Sequence, residues 1–192
     1  MKSCLITGLI GSGKSEVCKI LRQKGFPVYD SDSRTKALYA SDPSLVARVE
    51  AATGLEKARW KELFSQPEKL EALEAIVHPV VLQDFRRFAG EQNRELPLEP
   101  FSEQWVFFES AIAGDKPLFR GAFDKVLLLR APKEQREERN SAAAQRQTLQ
   151  KEIGEWDYLI LNDGSLEQLR SKTEDFLNLL CAEGRALTDK QL

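Results

Sequence analysis

Short unbroken apolar runs alternate along this chain with longer stretches in which apolar residues return every three or four positions. The first run, Ser3–Thr7 with Cys4, Leu5 and Ile6, predicts a strand that stops at Gly8, where a glycine-rich stretch reaches Gly13. A helix is predicted from Lys14 to Lys24, with Val17, Cys18, Ile20 and Leu21 on its inner side and Gly25 as its C-cap. Phe26–Tyr29 predicts a second strand, ending in Asp30-Ser31-Asp32. Strand, helix and strand in about thirty residues make a βαβ unit, and such units build parallel sheets.

From Ser33 to Gly90 the period is helical, with Leu70, Leu73, Val77, Val81, Phe85 and Phe88 in register. Pro67 opens this run and Pro79 interrupts it, so the pattern fits two helices or one kinked at His78-Pro79. Glu95–Pro100 reads as a linker into a third strand at Phe101–Phe108. Lys125–Arg130 is the continuous apolar run expected of a central parallel strand. Lys133–Lys151 is polar and helical, Tyr158–Leu161 is the last strand, and Ser165–Cys181 is an amphipathic helix with a frayed tail after Gly184. No internal repeat is visible.

Composition narrows the classes of function. The chain has 192 residues, 42% hydrophobic and 30% charged, an ordinary soluble balance with room for a real core. A net charge of −2 gives no broad cationic field, so nucleic acid is not the expected partner. Cys4, Cys18 and Cys181 are too few and too scattered for a disulfide framework, and with one histidine they argue against zinc. No apolar run approaches membrane-spanning length, and because Met1–Lys2 leads directly into a predicted strand, no signal peptide is expected. A cytoplasmic monomer that binds no membrane is the expectation.

The chemistry is concentrated in Gly8-Leu9-Ile10-Gly11-Ser12-Gly13-Lys14-Ser15, which fits G-x-x-x-x-G-K-[ST]. Glycines let such a loop curl until backbone N–H groups point at phosphate oxygens, and the following helix adds its positive end. Lys14 would reach the β- and γ-phosphates of ATP, and the Ser15 hydroxyl would hold Mg²⁺. The preceding strand and following helix are the context the motif requires. A GTPase would add D-x-x-G and N-K-x-D segments, and neither is present. One phosphate loop, a helical insertion and a polar late helix suggest a small kinase. Asp30 and Asp32 follow the carboxyl end of the second strand, the edge where open α/β sheets bind ligands. A carboxylate there can take the proton of an attacking hydroxyl; the structural alternative is that Asp32 or Ser31 caps the next helix.

In order and spacing, Thr7–Ser15, Asp30-Ser31-Asp32, His78-Pro79, Trp105–Glu109 and Asn162-Asp163-Gly164 resemble the dephospho-coenzyme A kinases, over about residues 3 to 180. Ala131-Pro132-Lys133-Glu134, with Arg136 and Arg139, is similar to the start of that family's lid. The resemblance implies a P-loop NTPase fold of the α/β class: a parallel sheet flanked by helices, a helical substrate-binding insertion and a short lid. The core would be 1–32, 96–132 and 153–192, the insertion 33–95 and the lid 133–152. Asp32 would be the general base for the ribose hydroxyl of dephospho-coenzyme A, with His78 and Glu109 on the substrate side. Gly8, Gly11, Ser12, Gly13, Lys14, Ser15, Glu16, Arg139 and Asn162 would bind ATP. The sequence departs from the family pattern at Leu9, Glu16, Trp105-Val106-Phe107 and the short segment Asn140–Gln150. Another P-loop nucleoside or nucleotide kinase, or a non-catalytic nucleotide-binding homologue with a degenerate lid, are the alternative readings.

Overall fold

The computed structural model describes residues 1–95, 105–139 and 153–188. The chain divides into two compact units, one of residues 1–29 and 89–192 and one of residues 30–88.

The first unit is built on five strands: β1 (Lys2–Thr7), β2 (Val28–Asp30), β3 (Trp105–Glu109), β4 (Lys125–Arg130) and β5 (Tyr158–Leu161), in the order β2-β3-β1-β4-β5. β1 pairs in parallel with β3 and β4, and β4 with β5. The register sets Ile6 opposite Glu109 and Leu127, so the carboxyl ends of three strands meet at one edge. Because side chains alternate along a strand, the sheet has two apolar faces. On one, Cys4, Ile6, Phe107, Leu127, Leu129 and Ile160 are buried with residues of helices α1 (Lys14–Gln23) and α6 (Leu166–Thr188). On the other, Tyr29 stacks on Phe108 at 5.2 Å, and Phe108 meets Phe119 and Phe123 at 5.8 and 5.1 Å. A further short helix, α5 (Lys133–Arg139), follows β4.

The second unit is helical. It holds α2 (Ser31–Ser41), α3 (Pro43–Thr53), a 3₁₀ stretch at Lys57–Ser65 and most of α4 (Pro67–Glu95). α3 is well punctuated, with Asp42 accepting from the Leu45 N–H at its start and Gly54 at φ 67° at its end.

The structure corrects several boundaries. β2 begins at Val28 rather than Phe26, because Pro27 has no N–H to give a ladder; its carbonyl instead accepts from Phe107 N at 3.0 Å. The run through His78-Pro79 is a single 29-residue helix. Proline removes the N–H that would bond the Ala75 carbonyl, but Ala75 and Pro79 both lie on the exposed side, where water can serve that carbonyl. The third strand is Trp105–Glu109, and residues 101–104 of the expected strand lie outside the described residues. So do residues 96–100 of the expected linker and residues 140–151 of the polar helix expected from Lys133. The last helix does not fray at Gly184 but continues to Thr188, its end tied to the sheet by the Lys125–Glu183 ion pair at 3.0 Å.

Phe107 is fully buried between the edges of Phe26 (5.6 Å) and Phe176 (6.3 Å). Phe107→Ala is expected to lower stability by about 3–5 kcal/mol, the usual cost of an aromatic-sized cavity, as measured by urea denaturation.

Candidate active site

The loop Gly8–Gly13 rises from the carboxyl end of β1 and turns directly into α1. Gly13 occupies the N-cap position with φ 102°, a left-handed conformation, and no side chain caps the helix. The Glu16 and Val17 N–H groups donate to the Gly13 carbonyl at 3.1 and 3.2 Å, and the helix start presents the positive end of its dipole to the loop, where an anion is favoured. A Cβ on Gly13 would collide with the Asn162 amide, so glycine is required by both conformation and space. Gly11, at φ 81°, is crowded in the same way by the Arg136 backbone, whose carbonyl oxygen would lie 2.6 Å from a Cβ.

Lys14 is the second residue of chemical interest and is mostly buried. Its Nζ donates to the Gly8 carbonyl at 2.8 Å and the Leu9 carbonyl at 3.2 Å, curling the side chain back over the loop it serves. The Ser15 hydroxyl donates to Glu109 Oε1 at 3.3 Å. The register of β1 and β3 makes this pair possible, because it carries Glu109 to the end of the strand beside the loop. A hydroxyl and a carboxylate side by side are hard oxygen donors, the kind Mg²⁺ prefers when phosphate oxygens supply the rest of its shell. Among the described residues no group of three or more His, Cys, Asp or Glu side chains forms an all-protein metal cage.

Asn162 directly follows β5 and is buried; its Nδ2 donates to the Ser12 carbonyl at 2.9 Å. The loop after it is braced by Lys172, which donates to the Leu161 carbonyl at 2.6 Å and to Asp163 Oδ1 at 2.9 Å. That hydrogen bond holds the Asp163 carboxyl below its ordinary range. Gln135 on α5 donates to the Asp163 carbonyl at 3.1 Å.

Two arginines of α5 approach the loop differently. Arg139 is exposed, and its NH1 donates weakly to the Gly11 carbonyl at 3.4 Å while NH2 is held by Gln135 Oε1 at 2.9 Å. Arg136 is only 7% exposed, with Nε on the Ala131 carbonyl at 3.1 Å and NH1 buried without a hydrogen-bond partner among the described residues. Arg136 lines a cavity of about 80 Å³ with Thr7, Gly8, Leu9, Ser12 and Leu129. The Ser12 hydroxyl is likewise buried with no hydrogen-bond partner among the described residues. A buried guanidinium N–H left unpaired is costly, and an oxyanion is the natural complement. Sequence patterning did not single out Arg136 as a site residue, because nothing in the polar run Lys133–Lys151 distinguishes its buried arginine from its exposed ones.

The remaining expected residues fall as follows. Glu16, on the first turn of α1, lies 3.6 Å from Lys19. Asp32 and His78 belong to the second unit. The capping alternative resolves onto a different residue: Asp30, not Asp32 or Ser31, is the N-cap of α2, accepting from Ser33 N and Ser33 Oγ, both at 3.0 Å. Asp32 lies in the first turn, exposed, with no hydrogen bond or ion pair to its carboxylate among the described residues. His78 is half-buried on α4. Residues 140–152 of the expected lid lie outside the described residues.

The sequence profile of the dephospho-CoA kinase family matches residues 4–153. A dephospho-CoA kinase of Chlorobaculum tepidum is 32% identical, covering 88% of this chain and 90% of its own. One of Thermus thermophilus is 34% identical over 85% of this chain and 84% of its own. Among solved structures, TT1252 from Thermus thermophilus has a TM-score of 0.69 at 32% identity, covering 95% of this chain and 97% of that one. The shikimate kinase of Acinetobacter baumannii shares the fold, with a TM-score of 0.55 at 16% identity, covering 95% of this chain and 94% of that one.

If the Asn162 amide holds the loop in shape, Asn162→Ala leaves the Ser12 carbonyl buried and unpaired at a cost of about 1–3 kcal/mol. Isothermal titration should then find ATP binding weakened by about tenfold with the fold retained; unchanged affinity would make the bond dispensable.

Proposed function

The chain belongs to the dephospho-CoA kinase family, and on that premise we propose that it transfers the γ-phosphoryl group of ATP to the 3′-hydroxyl of dephospho-coenzyme A. The products are ADP and coenzyme A, and the step is the last in coenzyme A biosynthesis. The observation that carries this reading is the phosphate loop with Lys14, Ser15 and Glu109 assembled at the carboxyl edge of β1 and β3, inside the span matched by the family.

The acceptor hydroxyl oxygen attacks the γ-phosphorus, the bond from that phosphorus to the β–γ bridging oxygen breaks, and the hydroxyl proton goes to a base. Asp32 is that base. Asp30 already serves as the helix cap, and among the described residues no hydrogen bond occupies the Asp32 carboxylate. Lys14 exchanges the Gly8 and Leu9 carbonyls for phosphate oxygens, replacing neutral acceptors with charged ones. Ser15 and Glu109 would hold Mg²⁺, which offsets charge on the β- and γ-phosphate oxygens when bound. Arg136 and Arg139 supply further positive charge beside the loop, Arg136 from the cavity wall and Arg139 from beside the Gly11 carbonyl. Glu16 stands on the first turn of the helix that receives the phosphates, and the buried Asn162 keeps the loop curled. Residues 33–95, with His78, bind the acceptor, and 133–152 act as the lid.

The test is single-turnover phosphorylation of dephospho-coenzyme A. Asp32→Asn is expected to bind ATP normally and to transfer phosphate about 10²–10⁴-fold more slowly, the usual worth of a positioned general base. Lys14→Ala should nearly abolish transfer while circular dichroism stays unchanged. A folded Asp32→Asn protein transferring at the wild-type rate would remove Asp32 from the chemistry.

A further inference from the structure

Helix α2 carries Asp32 on its first turn but has little apolar anchorage: Ser31 is its one buried residue. Its far end is held by Tyr39, whose ring meets Trp60 edge-on at 4.9 Å and whose carbonyl accepts from Lys57 Nζ at 3.3 Å. Burial of that ring raises the Tyr39 hydroxyl to about 12. At the near end, the Asp30 cap and the bond from Thr35 Oγ1 to the Ser31 carbonyl (2.7 Å) are local. They shape the first turn, which follows directly on β2, but make no side-chain bridge from it to another helix.

A side-chain bridge from this end of α2 to another helix is made by Arg34. Its Nε and NH2 donate to Asp84 Oδ2 and Oδ1, both at 2.9 Å. Asp84 lies on α4 and is only 5% exposed, and Arg87, one turn further along α4, also donates to its Oδ1. A carboxylate held by two arginines cannot rotate freely, and a two-point fork fixes direction as well as distance. Arg34 is two residues from Asp32 on the same helix. The rotation of the helix that Asp84 imposes on Arg34 is therefore the rotation that aims Asp32.

We propose that Asp84 is a positioning residue for phosphoryl transfer, acting through Arg34 to hold Asp32 in its reactive direction. This rests on the reading of Asp32 as the base, and the experiment separates the two. Turnover number, ATP dissociation constant and thermal midpoint are measured for Asp84→Asn, Arg34→Lys, Asp32→Asn and the double variant Asp32→Asn/Asp84→Asn.

Asp84→Asn keeps the shape of the side chain but loses the charged fork. Its turnover is expected to fall by about tenfold or more, since small misplacements of a reacting group cost that much, while ATP affinity stays the same. Arg34→Lys keeps the charge, loses the fork, and should fall in the same direction. The double variant should be no slower than Asp32→Asn alone, because a base already removed cannot be misaimed.

Wild-type turnover in folded Asp84→Asn, or a double variant slowed by the full product of the two single effects, overturns the positioning role while leaving the base assignment intact. Should Asp84→Asn fail to fold, Arg34→Lys, whose arginine side chain is 40% exposed, decides the matter on the same criterion. If Asp32→Asn alone transfers at the wild-type rate, the base assignment falls first and the proposal falls with it.

Discussion

The hydrogen bond from the Asn162 amide to the Ser12 carbonyl joins the end of the last strand to the first loop, 150 residues away in sequence. A glycine-rich loop costs more backbone entropy to order than any other kind of segment, and this one has no secondary structure of its own. Its curl is imposed by what surrounds it: the Asn162 amide against Gly13, the Arg136 backbone against Gly11, and the Lys14 side chain folded over its start. The order of strands makes this possible, because β4 pairs in parallel with β1 and β5 with β4, so the segments that follow them bring Arg136 and Asn162 to the edge where the loop begins. The site is thus a product of the sheet, and the glycines mark where other segments come too close for a side chain.

The same edge concentrates positive charge in a protein whose net charge is −2. Lys14 and Arg136 are both largely buried, and Arg139 stands exposed beside them. Burying cations is unfavourable unless an anion compensates, so the loop is built for a ligand of several negative charges. That is the electrostatic character of a nucleoside triphosphate site, and it accounts for the Arg136 NH1 and Ser12 hydroxyl on the cavity wall, which are buried without a hydrogen-bond partner among the described residues.

What the sequence reveals and what it hides follows from the range of each interaction. The phosphate loop is legible because its chemistry is local: eight consecutive residues, a strand before and a helix after. The parallel sheet is legible from the unbroken runs at Ser3–Thr7 and Lys125–Arg130, which only a strand buried on both faces sustains. The Asp30/Asp32 pair is visible as two carboxylates after a strand, but which one caps the helix depends on backbone direction at Ser31, and the structure gives that task to Asp30. Pro79 suggests a break that exposure on the solvent side makes unnecessary. The partner of Asn162, the burial of Arg136 and the Arg34–Asp84 fork are contacts between segments distant in sequence, and no spacing rule encodes them.

The central claim is that this cationic edge serves ATP-dependent phosphorylation of one hydroxyl on dephospho-coenzyme A. It is tested most directly by incubating the purified protein with ATP, Mg²⁺ and a panel of acceptors (dephospho-coenzyme A, shikimate, nucleosides and nucleoside monophosphates) and following products by phosphorus NMR. The account predicts ADP formed in step with a single new phosphomonoester at the 3′-position of dephospho-coenzyme A, and none on the other acceptors. ATP binding without a new phosphomonoester on dephospho-coenzyme A, or preferential phosphorylation of another acceptor, would contradict it.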